Sequence, residues 1–471
     1  MPGDKFPRPV VTTWDAFDTL IARHVPDPLI AAKLTQQKLG VGDFLDRRLA
    51  AQAALDKLGK PYVLSAIYRQ MIDAGMDPAL ARRGETLETL HEHRQMFPIA
   101  RNVQRVDPHD LIVSDMYLAP EAIETFLHDA CDLHMLRPIV RSNWGKATGT
   151  IWPHLQRHYV VRRHVGDNPV SDVAVPQRFG IACELVEDSK PTAWERKLGG
   201  MGLSQLALLQ REVRLRSIPM AANAFHDAAV GPYLTLLAAF AVYLRARHGA
   251  ETDYVFLSRG ADDARRVFGA LFPDARARSL DISRRLAFDP DTAALLAGKL
   301  GPDSLAIDIC GTGRSFFAAT EDRATANRGL QLLVFLSRLV RPENAQTTEA
   351  RRRDGRLTHV CALDAGSTMV LEQMFQSHYP PVGRLAEDVA SGGLVRRYGE
   401  SEYDREELAL LAWKSATLTQ FLRVVRNRGF DPRAIRQPVA VIETAIRQIL
   451  AMPQIARCFA SFVAREKFDE T

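Results

Sequence analysis

Short apolar runs that close on polar residues, with helical stretches between them, constrain this chain more than any other feature. The first is Pro9 to Asp18 (PVVTTWDAFD), a β-branched run closing on two aspartates. Asp110 to Ser114 (DLIVS), Pro138 to Val140 and Val160 to Gly166 follow, and Pro120 to Cys131 reads as helix. A second set comprises Tyr254 to Leu257 (YVFL), Leu305 to Ile309 (LAIDI) and Leu330 to Leu336 (LQLLVFL). Largely apolar runs of this kind suit central strands covered on both faces. Strands alternating with helices predict an α/β fold built on parallel sheets, and two sets predict two such domains.

The stretches between the runs set the organisation. From about Pro28 to Leu90, apolar residues recur at three and four, as in Leu45, Leu49 and Ala53 and then Ile67 and Met71, which predicts a helical insert. Lys197 to Ser217 reads as a helical connector that starts at Gly199, Gly200 and Gly202. From about Ser401 the chain turns helical again, most clearly at Leu408 to Phe421 and Val439 to Leu450. The expected division is 1–195 with an insert at about 24–105, a connector at 196–217, a second α/β domain at 218–400 and a helical region at 401–471. A length of 471 residues agrees with two or three domains at roughly 150 residues each.

Composition narrows the class. With 46% apolar and 25% charged residues, disordered, collagen-like and disulfide-scaffold chains are excluded. Five cysteines without a Cys-x-x-Cys pair point to a reduced, cytoplasmic setting and away from a cysteine zinc site. The start MPGDKFPRP lacks the apolar run of a secretory signal. Ala228 to Leu244 carries no charge over seventeen residues, but it is short for a membrane span and contains Gly231-Pro232, so it reads as a buried core helix. The net charge of +5, 61 basic minus 56 acidic residues, suits anionic small molecules and is too mild to indicate nucleic acid. Arg351 to Arg356 reads as a solvated loop with few aromatics to stack on bases.

Open α/β sheets bind ligands beyond the carboxyl ends of their strands. Asp15 follows the first run, Ser114 ends DLIVS, Lys146 lies in RSNWGK, and Asp167 and Asp172 lie in VGDNPVSD. Such a set suits phosphoryl chemistry: a carboxylate attacks phosphorus, serine and lysine hold the phosphate oxygens, and acidic residues bind a hard cation. In WDAFDTL at 14–20, IVSD at 112–115, Lys146 and GDNPVSD at 166–172, the sequence resembles the haloacid dehalogenase-like (HAD) hydrolase superfamily over about residues 9–190. The resemblance implies a Rossmann-like core with the helical insert as a cap over the substrate. It implies Asp15 as a nucleophile forming an aspartyl-phosphate, and Ser114 and Lys146 as phosphate ligands. It also implies Mg²⁺ held by Asp15, Asp167, Asp172 and the Phe17 carbonyl.

One departure from that family pattern matters. The aspartate that usually stands two residues after the nucleophile, as general acid and base, is Phe17 here, with Asp18 next. Such proton transfer is worth about 10²–10⁴-fold. Either Asp18 or a cap residue supplies it, or the leaving group needs little protonation, or the domain binds without turnover. Plainer roles compete: Asp18-Thr19 capping a following helix, Asp172 as a capping or supporting residue, and Trp144 and Trp152 as core. His154 and His158, four apart, read as exposed surface residues.

The second constellation is Ile307 to Ser315 (IDICGTGRS), a strand running into a glycine turn and a helix, where backbone N–H groups can approach an anion. It resembles the phosphoribosyl-pyrophosphate loop of type I phosphoribosyltransferases, with VFLSRGADDA at 255–264 similar to their pyrophosphate-contacting turn. The resemblance implies Asp308 on ribose, Thr312, Gly313 and Ser315 on phosphate, and Arg259 on pyrophosphate. Phosphoribosyl pyrophosphate or a nucleotide would be the ligand. Ser283-Arg284-Arg285 adds positive charge between the two motifs, while Cys310 reads as a small core residue. The plainer alternative is a tight turn, with Arg259 paired to Asp262 or Asp263 on the surface.

The expectation is a Mg²⁺-dependent HAD-like hydrolase for a small phosphorylated molecule such as a sugar phosphate or nucleotide, fused to a phosphoribosyltransferase-like domain. The alternative is a sensor or assembly module that binds phosphate compounds without turnover. Nucleic-acid binding and haloacid dehalogenation are minor readings.

Overall fold

The computed structural model describes residues 7–134, 138–140, 145–218, 229–258, 260–282, 286, 298–301, 303–320, 330–337, 342–362, 374–376, 382–387, 394–398 and 405–452. The chain forms two compact units, Met1–Thr192 with Arg214–Ile218, and Ala193–Val213 with Pro219–Thr471.

The first unit holds a parallel sheet of β1 (Val10–Trp14), β4 (Leu111–Ser114), β5 (Pro138–Val140), β6 (Val160–Gly166) and β7 (Ala182–Leu185), in the order β5-β4-β1-β6-β7. Strand alternation sends Val11 and Val113 to one face, with Ile151 and Trp152, and Trp14 and Ile112 to the other, with Phe126. From β1 the chain builds outward through β4 and β5, then returns to β1's other side with β6. That reversal opens a crevice between the carboxyl ends of β1 and β6.

The insert comprises α1 (Ile30–Leu39), α2 (Phe44–Lys57), α3 (Leu64–Asp73) and α4 (Pro78–Gln95) around Phe44, Ile67, Tyr68, Met71 and Ala81. Asp77 caps α4 by accepting from Leu80 N at 2.8 Å, with Pro78 next, where its missing N–H costs nothing. Arg48 lies wholly buried in the insert on Glu88, which also accepts from Tyr68 Oη at 2.6 Å. The antiparallel pair β2 (Ile21–Arg23) and β3 (Met96–Pro98) carries the chain in and out. Asp18-Thr19 therefore caps no helix: the turn after Asp15 leads straight into β2. Leu64 N at the start of α3 donates to Tyr117 O at 2.7 Å, anchoring the insert to the loop after β4.

The second unit holds β8 (Asp253–Ser258), β9 (Ala277–Asp281), β10 (Ser304–Gly311), β11 (Gln331–Ser337) and β12 (Leu357–Ala362), all parallel, in the order β12-β11-β10-β8-β9. Its reversal falls between β8 and β10. A separate antiparallel pair is β13 (Val382–Glu387) with β14 (Leu394–Tyr398). Helix Leu234–His248 is buried at every position from Leu234 to Leu244, as its apolar run predicts. No helix among the described residues is long and apolar enough to cross a membrane.

Three expectations change. The connector is not a separate piece: Leu198, Leu203 and Leu206 lie in the second unit's main core, and only 214–218 belongs to the first unit. The C-terminal helices Arg405–Arg428 and Val439–Leu450 are not a separate region either, since Leu418, Phe421, Ile442 and Ile449 fill the same core. Finally, Arg351–Arg353 are the last turn of helix Pro342–Arg353 rather than a loop, with Arg351 over the Phe317 ring at 4.2 Å.

Within that core Lys414, 2% exposed, pairs with Asp263 at 2.9 Å and donates to the Met374 and Gln376 carbonyls, each at 2.7 Å. Tyr233 Oη donates to the same Asp263 carboxylate at 2.7 Å.

Candidate functional site

Four segments distant in sequence meet at the crevice between β1 and β6. Asp15 is the first residue past β1, Asp167 the first past β6, Ser114 the last of β4, and Lys146 lies beyond β5. Lys146 Nζ donates to Asp15 Oδ1, and to Asp172 Oδ1 at 2.7 Å, with all three side chains under 10% exposed. One carboxylate oxygen from each of Asp15, Asp167 and Asp172 falls in a cluster no more than 4.8 Å across. Thr19 Oγ1 reaches Asp15 Oδ2 at 3.3 Å.

The turn after β6 is shaped to aim Asp172 back at the crevice. Asn168 accepts from Val170 N and Ser171 N at 2.9 and 3.2 Å, opening a wide helical turn over Pro169–Ala174. Asp172 Oδ2 then accepts from Asn168 N at 3.0 Å. Gly166 makes room, because a Cβ built there falls inside the Asp172 carboxyl group. Asp172 is thus a supporting residue of Lys146 first, with one lone pair of Oδ2 left over.

Two further residues complete the arrangement, and sequence reasoning gave neither a role. Asp115, straight after Ser114, accepts from Lys146 N at 2.8 Å and Ala147 N at 3.1 Å, and so holds the backbone that carries the lysine. His164, fully buried on β6, contacts Asp172 Oδ1 through Nε2 at 3.1 Å and Thr13 Oγ1 through Nδ1 at 2.8 Å. The available signal was a lone imidazole in a strand whose other polar side chains are Arg162 and Arg163. Trp152 is core, as expected, with its ring 4.8 Å from that imidazole; Trp144 lies outside the described residues.

Electrostatics follow from three carboxylates sharing one lysine in a dry site. Burial opposes the Asp172 charge, but Lys146 and the His164 hydrogen bond outweigh it and hold that carboxyl well below its usual range. Asp15 is pushed well above the carboxylate range, by burial first, Lys146 opposing, and then by Asp172 and Asp167. Burial and the neighbouring Asp18 raise Asp167 to about 6. Lys146 is held above its ordinary value by Asp15 and Asp172 despite burial. The surplus of negative charge and the all-oxygen donor set fit a small hard cation, whose binding would return Asp15 and Asp167 to the charged form.

Asp18 takes a left-handed backbone, φ 57°, and faces Arg23 at 3.9 Å. Arg23 is itself buried on Glu92 at 2.5 Å and lies over the Phe17 ring at 5.0 Å. A separate cleft of 410 Å³ on this unit is lined by Arg101, Arg105, Glu184 and Arg214 among others, and its charges are paired, as in Arg105 on Glu184 at 2.7 Å.

In the second unit the two sequence motifs flank the reversal between β8 and β10. Arg259, like Ser283-Arg284-Arg285, lies outside the described residues. Asp308 stands three residues before the end of β10; Gly311 and Thr312 follow, and Ser315 lies on helix Arg314–Thr320, all partly exposed. Gly313 is buried at φ 78°, and a Cβ there would meet Leu332 at 2.8 Å and Phe317 at 3.1 Å, so its first duty is close packing. Across the reversal Ser258 Oγ donates to Asp281 Oδ1 at 2.6 Å. Asp263 is buried on Lys414 and Tyr233, while Asp262 pairs with Arg265 at 3.1 Å.

The fold class these observations define is α/β with two parallel sheets, each carrying polar residues at its point of strand reversal. Compared with known proteins, the chain matches no protein-family model, and no curated protein is significantly similar to it.

Proposed function

We propose that the first unit is a metal-dependent phosphoryl-transfer enzyme of the HAD-like hydrolase type, acting on a small phosphorylated molecule such as a sugar phosphate or nucleotide. The observation that carries this is the meeting of Asp15, Lys146, Asp167 and Asp172 at the strand reversal. Asp15 and Asp167, the Phe17 carbonyl and the remaining lone pair of Asp172 would hold Mg²⁺. Bound there, the cation would offset charge on the phosphate oxygens and on the Asp15 carboxylate.

An Asp15 oxygen attacks phosphorus, forming an O–P bond as the bond to the leaving oxygen breaks. Lys146 and Ser114 steady the phosphate oxygens, and the leaving alkoxide takes a proton. Asp18, the carboxyl next to Phe17 and beside Asp167, is the nearest donor by sequence. Water then cleaves the aspartyl-phosphate, releasing phosphate and restoring the carboxylate. The insert α1–α4 would close over substrate and exclude bulk water. For the second unit we propose a phosphate-compound site at Asp308, Thr312 and Ser315, for phosphoribosyl pyrophosphate or a nucleotide.

Phe17 supports one rival, a sensor that binds phosphate compounds without turnover, because an aromatic ring beneath Arg23 stands where an acid would be. Phosphate release from a panel of phosphate esters, with Mg²⁺ or EDTA, separates the two. Metal-dependent release that disappears in Asp15→Asn is expected; no release from any ester moves the reading to the sensor.

A further inference from the structure

We infer that His164 is a positioning residue that fixes Lys146 through Asp172; this rests on the phosphoryl-transfer reading above. A buried histidine on a central strand is most simply a core residue with its nitrogens satisfied, so the question is what its partners do. Thr13 and His164 are direct neighbours in the β1–β6 pairing and share a face of the sheet. Asp172, ion-paired with Lys146 at 2.7 Å, offers the imidazole only lone pairs. The donor to Asp172 is therefore Nε2–H, while Nδ1 faces the Thr13 hydroxyl at 2.8 Å.

The consequence is a closed circuit. It leaves β1 at Thr13, crosses to His164, passes to Asp172 and Lys146, and returns at Asp15, the residue just past that strand. Asp172 Oδ1 takes both Nε2–H and the ammonium, and Oδ2 takes Asn168 N–H, so its plane is set from two sides. Without His164 the carboxylate keeps its charge but loses the contact that orients Oδ1 toward Lys146. Groups that orient a reacting site's own partners in this way are worth about 10–100-fold in activity.

Full-length His164→Phe, similar in shape and without nitrogens, and His164→Gln, which keeps an amide donor, test this. The ester chosen is the best one found with wild type. The kcat of His164→Phe is expected to fall about 10- to 100-fold at nearly unchanged KM, with His164→Gln recovering most of it. Equal kcat across the folded variants overturns the inference. A second measurement needs no turnover: the Lys146 ammonium ¹⁵N–¹H signal, assigned by its loss in Lys146→Met. It should move in His164→Phe and return toward wild type in His164→Gln. An unmoved signal overturns the inference whether or not the chain proves to be a phosphatase. The imidazole ¹⁵N shifts of wild-type His164 cover a phenylalanine variant that does not fold. They should show hydrogen on Nε2, and hydrogen on Nδ1 instead overturns the assignment.

Discussion

Lys146 and Asp172 form an ion pair 2.7 Å long from which solvent is almost wholly excluded, with side-chain exposures of 4% and 1%. Removing one member of such a pair strands the other charge, which typically costs about 3–5 kcal/mol. Lys146→Met is therefore expected to abolish turnover and to lower unfolding free energy by about that much in urea denaturation. Adding Asp172→Asn, which removes the stranded charge, should recover at least ~1 kcal/mol. Additive losses in the double variant would show that the two side chains do not act on each other.

Gly166 is expected to tolerate no side chain. Its Cβ would occupy the Asp172 carboxyl group, so Gly166→Ala must displace either that residue or β6. Overpacking of this kind costs about 1–3 kcal/mol. Thermal melts should register the loss, and phosphate release should fall further than in a distant variant of equal stability.

Asp18 combines a strained backbone with a carboxyl group at the crevice. Asp18→Gly relieves the left-handed conformation, a gain of about 1 kcal/mol, and removes the candidate proton donor, a loss of about 10²–10⁴-fold. The expected result is a higher melting temperature with lower kcat. The fall in kcat should shrink for esters whose leaving group is already acidic, such as a nitrophenyl phosphate.

Acid sensitivity is expected from the second unit. Burial lowers His248 and His359 from 6.5 to about 4, and the buried Nε2 atoms of both find no hydrogen-bond partner among the described residues. Between those values the unfolded chain binds more protons than the folded one, so stability is fully present above pH 6.5 and is lost as pH falls toward 4. Chemical denaturation across that range should show stability rising with pH. His248→Gln with His359→Gln should flatten the slope.

The apolar runs revealed their strands because burial on both faces leaves a plain signature. β5 and β6 stand where the residues predict them, and β8, β10 and β11 match their runs to within about two residues. β9 (ARSLD) and β12 (LTHVCA) were hidden, since edge strands carry polar residues that periodicity cannot separate from loop. At the site, Asp15, Ser114, Lys146, Asp167 and Asp172 were legible because each stands at or just past a strand end. His164 and Asp115 were not, because their role lies in partners 8 and 31 residues away, and no local pattern reports such a contact. The connector and the C-terminal helices were misassigned for the same reason: a helix's apolar stripe tells that it packs, and says nothing of which sheet receives it.

Synthesis order gives the Lys414–Asp263 pair one more meaning. A ribosome delivers Asp263 first and its cation 151 positions later, an interval of roughly eight to thirty seconds at ordinary rates of elongation. Through that interval the nascent second unit holds a carboxylate and an apolar helix, Leu234–His248, whose partners on the last two helices do not yet exist. The sheet strands emerge as an exposed template while the core waits for Leu418 and Ile442. A chain that stops before residue 414 would therefore carry the first unit entire and a second unit whose core is left unfilled.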